Sequence, residues 1–250
     1  MIRLVHAEFV KLRTTQVWFW LLLGALALSA LVAIGSLASS TGVRSESDVP
    51  DLFANANGAL ISVFILGVLG ITTEFRHQTI TPTVLATPSR WAVVSAKMIS
   101  YAVVGVIYSL LCIALQLAIA LPWLSAKDID FSLRDADLRR ALFGLPVVFL
   151  LFAIVGIGAG TLLRNQIVAI TVGLIFLLVV QNIVGAIPHV KQAWPYTPAG
   201  GVTGILYTGD AARFNDVQAF GAAGSVAVLL GWALVPALAG AAFSMNRDIT

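Results

Sequence analysis

The sequence predicts an all-α integral membrane protein with six transmembrane helices, and three observations carry that prediction. Six long apolar stretches fall at 17–38, 52–73, 95–121, 141–162, 167–187 and 221–243. Each is close to the ~20 residues a helix needs to cross about 30 Å of hydrocarbon. Hydrophobic residues make up 59% of the chain and charged residues 11%, with a mean hydropathy of +0.94. Soluble domains carry about 25% charged residues, and no soluble core has use for so much apolar surface. The breaks between the stretches hold nearly all the charge, so the chain is read as a single transmembrane domain over residues 1–250.

Residues 1–16 read as an amphipathic elbow helix ahead of the first span. Ile2, Val5, Phe9 and Leu12 recur at steps of three and four, while Arg3, His6, Lys11 and Arg13 occupy other faces. That pattern suits a helix lying in the membrane interface. The first span resembles a secretory signal in having Lys11 and Arg13 before it, but about 22 apolar residues exceed the usual signal core of 7–15. It is expected to remain as a helix.

Orientation follows from Lys and Arg. Three of them (Arg3, Lys11 and Arg13) precede the first span and only Arg44 follows it before the second, and the first helix usually dominates orientation. Nine of the twelve acids then fall outside, among them Glu46, Asp48, Asp51 and Asp137. Both termini are expected in the cytoplasm. None of the segments between spans has the usual size of a soluble catalytic domain.

The second and third spans are joined by Glu74-Phe-Arg76-His-Gln-Thr79-Ile-Thr-Pro82-Thr-Val84-Leu85-Ala-Thr-Pro88-Ser-Arg90, a string polar at both ends and apolar in the middle. Pro82 after Thr81 suits a helix start, and Pro88 with Ser89 ends one helix and begins the next. A short helix parallel to the membrane would present Val84 and Leu85 on its surface, as docking into a partner's groove requires. An ordinary re-entry loop is the plainer reading of the same residues.

Within the spans, Gln116 lies in the third, Gln181 and Asn182 near the outer end of the fifth, and Asn55 and Asn57 early in the second. Gln116, Gln181 and Asn182 are candidates to line a substrate path, although interhelical hydrogen bonds worth about 0.6 kcal/mol each explain them as well. No Asp, Glu, Lys or Arg lies mid-span. Such charges usually mark ion relays, so a proton- or sodium-coupled carrier is disfavoured. Gly156, Gly158 and Gly160 sit inside the fourth span, where small residues permit close helix packing rather than dinucleotide binding.

Cys112 is the one cysteine, so no intrachain disulfide forms, and His6, His77 and His189 are scattered without a metal-ligand cluster. No phosphate loop of the form Gly-x-x-x-x-Gly-Lys-Ser/Thr occurs. The paired acids or His–acid sets of an intramembrane enzyme are missing too. Residues 132–140 read as a short capped helix, with Ser132 and Asp135 at capping-box spacing. Pro188 to Phe220 carries prolines, glycines and aromatics that preclude one long helix, leaving either a re-entrant hairpin before the sixth span or a plain loop.

The string from Glu74 to Arg90, with an alanine–lysine pair opening the next span, resembles the first cytoplasmic loop of type-2 ABC exporter permeases. An amphipathic N-terminal helix carrying Glu8, Lys11 and Arg13, a Gly-rich fourth span ending in Leu163-Arg164-Asn165, and Trp-Pro-Tyr-x-Pro before the last span agree with that family. The sequence departs from it at Gln78, where glycine is common, and at Pro82 inside the docking region. The resemblance implies a permease with no catalytic residues, located in the bacterial cell membrane. It would pair with itself or a similar chain, and would couple to cytoplasmic ATPase subunits that hold the ATP and Mg. It implies no cofactor in this chain, and no nucleic-acid partner is expected. Glu74, Arg76, Thr79, Val84, Leu85 and Arg90 are the coupling residues it implies. A non-transporting immunity or regulatory protein on the same fold is the alternative.

Overall fold

Backbone amides have no water partner in hydrocarbon, so apolar stretches of spanning length must satisfy them internally as helices. The computed structural model describes residues 2–39, 43, 45–76, 90–129 and 132–245. Among them are six helical segments long and apolar enough to span a membrane: Val17–Ala38, Glu46–Arg76, Val94–Ser125, Ala136–Leu163, Gln166–Ala186 and Ala222–Gly240. The main helices are α1 (Ile2–Thr14), α2 (Val17–Ala38), α3 (Val49–Ala54), α4 (Leu60–Arg76), α5 (Arg90–Ser125), α6 (Ala136–Leu163), α7 (Gln166–Ile175), α8 (Gln181–Ala186), α9 (Pro198–Leu206) and α10 (Ala222–Met245).

The centre of the bundle is formed by the second and fourth spans. Two thirds of each is buried inside the chain, against 17% for the first and fifth and 22% for the sixth. Close approach of α4 to α6 needs glycine on both sides. A Cβ on Gly67 would sit 2.2 Å from the Ala153 carbonyl oxygen, and one on Gly156 would sit 2.2 Å from that of Phe64. Gly160 continues this face against Val68 and Ile71, while Gly158 turns to the Ala233 carbonyl of α10. The glycines of the fourth span therefore pack helices on two sides, as their spacing led us to expect.

Three features depart from the sequence reading. The short outer helix expected at 132–140 is not separate: Asp135 caps α6, accepting from the Asp137 N–H at 2.8 Å, and the helix runs unbroken into the fourth span. Ser132 instead accepts from the Arg134 N–H at 3.3 Å. The reason is that Asp135 suffices as a cap and no breaker follows it. The second span opens with short turns, a 3₁₀ helix over Asn55–Ala59 separating α3 from α4. The fifth is interrupted by a π turn at Phe176–Val180 between α7 and α8.

The Pro188–Phe220 region folds into a 3₁₀ turn at Lys191–Tyr196, α9, and a two-residue hairpin pairing Arg213 with Gln218 and Phe214 with Val217. Arg140 donates from Nε and Nη2 to the carbonyls of Ile205 and Gly204 at 2.9 and 2.6 Å, satisfying the end of α9. The Trp232 indole donates to the Tyr196 carbonyl at 2.8 Å, fastening the segment to α10.

Candidate coupling site

Helix α1 owes its placement to charge. Its apolar Phe9 and Leu12 pack against the core, and Glu8 on a neighbouring face is 5% exposed. A carboxylate so buried demands cationic partners, and it has two, Lys11 one turn along α1 and Lys97 from distant sequence. Lys97 Nζ donates to Glu8 Oε2 at 2.5 Å and pairs with Glu74 Oε1 at 2.8 Å. Lys11 Nζ donates to Glu8 Oε1 and to Glu74 Oε1, both at 2.7 Å. Two carboxylates and two ammonium groups thus alternate in a closed, formally neutral ring joining α1, the end of α4 and the start of α5. The Lys97 side chain is 1% exposed, those of Glu8 and Glu74 7% and 8%, and that of Lys11 48%.

Burial is the largest single influence on Lys11 and pulls its pKa down, yet the neighbouring carboxylates of Glu74 and Glu8 together outweigh it and hold the ammonium above its ordinary 10.5. The second oxygen of Glu74, Oε2, is buried without a hydrogen-bond partner among the described residues. The Ser100 hydroxyl donates to the Ala96 carbonyl at 2.8 Å and lies 3.4 Å from that of Val5, adding a further contact between α5 and α1.

Of the residues the family resemblance picked out, Glu74 is inside this ring and Arg76 is exposed at the end of α4. Arg90 is the first residue of α5. Thr79, Val84 and Leu85, with the whole expected coupling helix, lie outside the described residues. The candidate path residues each bond to backbone groups. Gln116 is fully buried and donates to the Leu52 carbonyl of α3 at 3.3 Å. Gln181 is buried, donates to the Leu177 carbonyl and accepts from the Ala199 N–H at 2.9 Å, tying α8 to α9. Asn182 is exposed and donates to the Leu178 carbonyl one turn back, at 2.9 Å.

The role of Lys97 in the ring was not found from sequence. It stood there only as the residue opening the third span, and nothing local pairs it with Glu8, which is 89 residues away. The signal available was the conjunction of a lone acid on an amphipathic helix, an acid ending one span and a lysine beginning the next.

These features define a multi-pass α-helical membrane protein with a buried ring of charges joining α1, the end of α4 and the start of α5. Residues 4–181 match the family model described as ABC-2 family transporter protein. That stretch is well over half of the 250 residues, and the chain belongs to this family as a membrane permease component. No curated protein shows a significant sequence match to the chain.

Proposed function

We propose that the chain is the transmembrane half of an ATP-driven exporter, in which two such chains enclose the path and separate cytoplasmic ATPase subunits dock on the 74–94 loop. The observation that carries this reading is the buried ring. Glu74 opens that loop and Lys97 lies just past its other end, and they are locked to α1 through Lys11 and Glu8 respectively. Force applied to the loop by a partner cannot move the end of α4 or the start of α5 without moving α1, because separating buried opposite charges leaves each uncompensated at about 3–5 kcal/mol. Energy for transport then comes from the partner, consistent with a chain that has no phosphate loop of its own. The short outer segments favour export over import.

The test is gentle purification from the native membrane with mass-spectrometric identification of partners. An ATPase at one copy per chain is expected. Its hydrolysis should lose coupling to transport in the Arg90→Glu, Leu85→Asp double variant while membrane insertion is retained. Intact coupling in that variant sinks the docking assignment, and repeated isolation without any ATPase moves the chain to the regulatory alternative.

A further inference from the structure

At the same end of the bundle as the ring, α4 and the α6–α7 junction leave a cleft of about 410 Å³ lined by Thr72, Phe75, Arg76, Arg164, Asn165, Gln166 and Ile167. Its lining holds two arginines and no acid. Neither arginine forms an ion pair with any described residue. Among the described residues Arg164 donates only to the Gly240 carbonyl, at the long distance of 3.5 Å.

The backbone is shaped to present this group. Arg164 has φ 52°, the left-handed conformation that ends α6, where glycine is the usual occupant and a side chain costs about 1–2 kcal/mol. Two N–H groups at the start of α7, those of Ile167 and Val168, already donate to Asn165 Oδ1 at 3.0 and 3.2 Å. The guanidinium pair is the cationic feature of the cleft. Gln166 Oε1 beside them is buried and has no hydrogen-bond partner among the described residues.

We propose that this cleft is a binding site for the phosphodiester headgroup of an anionic phospholipid such as phosphatidylglycerol. Planar guanidinium groups match phosphate oxygens two at a time, and basic pockets between membrane helices take acidic lipid headgroups. The lipid source is favoured over free phosphate by what surrounds the cleft: Ile167 is 76% exposed and Val168 43%, an apolar flank on α7 along which acyl chains would lie.

The experiment is native mass spectrometry of the full chain in mild detergent with phosphatidylglycerol or phosphatidylcholine of identical chains. Wild type should retain phosphatidylglycerol over phosphatidylcholine by at least about fivefold, reflecting charge-assisted hydrogen bonds. Arg76→Gln should lower that preference and Arg76→Gln with Arg164→Gln should abolish it, whereas Arg76→Lys should keep part of it. Because Arg76 is exposed, its single variants test the site without disturbing packing. Equal retention of the two lipids by wild type, or an unchanged preference in the double variant, overturns the site. Displacement of phosphatidylglycerol by millimolar inorganic phosphate overturns the lipid assignment in favour of a soluble anion.

Discussion

Lys97 is the residue on which the charged ring depends most. It is the most buried of the four, and it pairs with both Glu8 and Glu74, so that its removal leaves two buried carboxylates with Lys11 as their shared counter-charge. Removing one partner of a buried pair leaves the other uncompensated, so Lys97→Met should lower stability by about 3–5 kcal/mol in detergent unfolding. Adding Glu8→Gln should restore part of the loss, and strictly additive effects in that cycle would show that the two groups are uncoupled. Lys11 contributes differently. Its pKa is raised above 10.5, so the stabilisation it gives is fully present below that pH and is lost as pH rises above it through the folded-state value. The unfolding midpoint of wild type should therefore fall at strongly alkaline pH, and the Lys11→Ala variant should show a smaller fall across the same range.

Among elements, α6 is the least tolerant of change, because glycines set its close approach to α4 on one side and to α10 on another. Gly156→Leu would drive its side chain onto the Phe64 carbonyl, and the helices must separate or the protein fail to assemble; overpacking costs about 1–3 kcal/mol where the structure can yield. Gly231→Leu is the matched control, since a Cβ there meets nothing within 4 Å. Thermal unfolding followed by tryptophan fluorescence should show a lowered midpoint for the first and an unchanged one for the second. The glycine spacing that makes α6 a packing helix was visible in sequence, since Gly156 and Gly160 are one turn apart. The interruptions of the second and fifth spans were not. A 3₁₀ turn at Asn55–Ala59 can be sought from two asparagines and a glycine, but the π turn at Phe176–Val180 arises within Phe-Leu-Leu-Val-Val, which is uniformly apolar and offers no local cue.

For the molecule as a whole, the number and order of the spans followed from hydropathy alone because the bilayer leaves the backbone no other choice. What hydropathy cannot rank is depth within the bundle. The first, fifth and sixth spans are as apolar as the second and fourth, yet far less of each is covered by the chain itself. Lipid and protein interiors reward the same side chains, so composition does not distinguish a central helix from a peripheral one. The candidate site divides along the same line. Glu74 was legible because it belongs to a local string, whereas its pairing with Lys11 across 63 positions was not. Gln116 and Gln181 were legible as costly polar groups, but only their partners, Leu52 and Ala199, show that each ties two segments together.

The span of the ring along the chain also orders its assembly in time. Lys97, the deepest counter-charge of Glu8, is made 89 positions after it. At about 5–20 residues per second of synthesis, α1 waits roughly 4–18 s with a carboxylate that it cannot bury. The N-terminal helix must therefore rest at the water surface until the third helix has entered the bilayer, and its docking marks the moment when the first half of the molecule is complete.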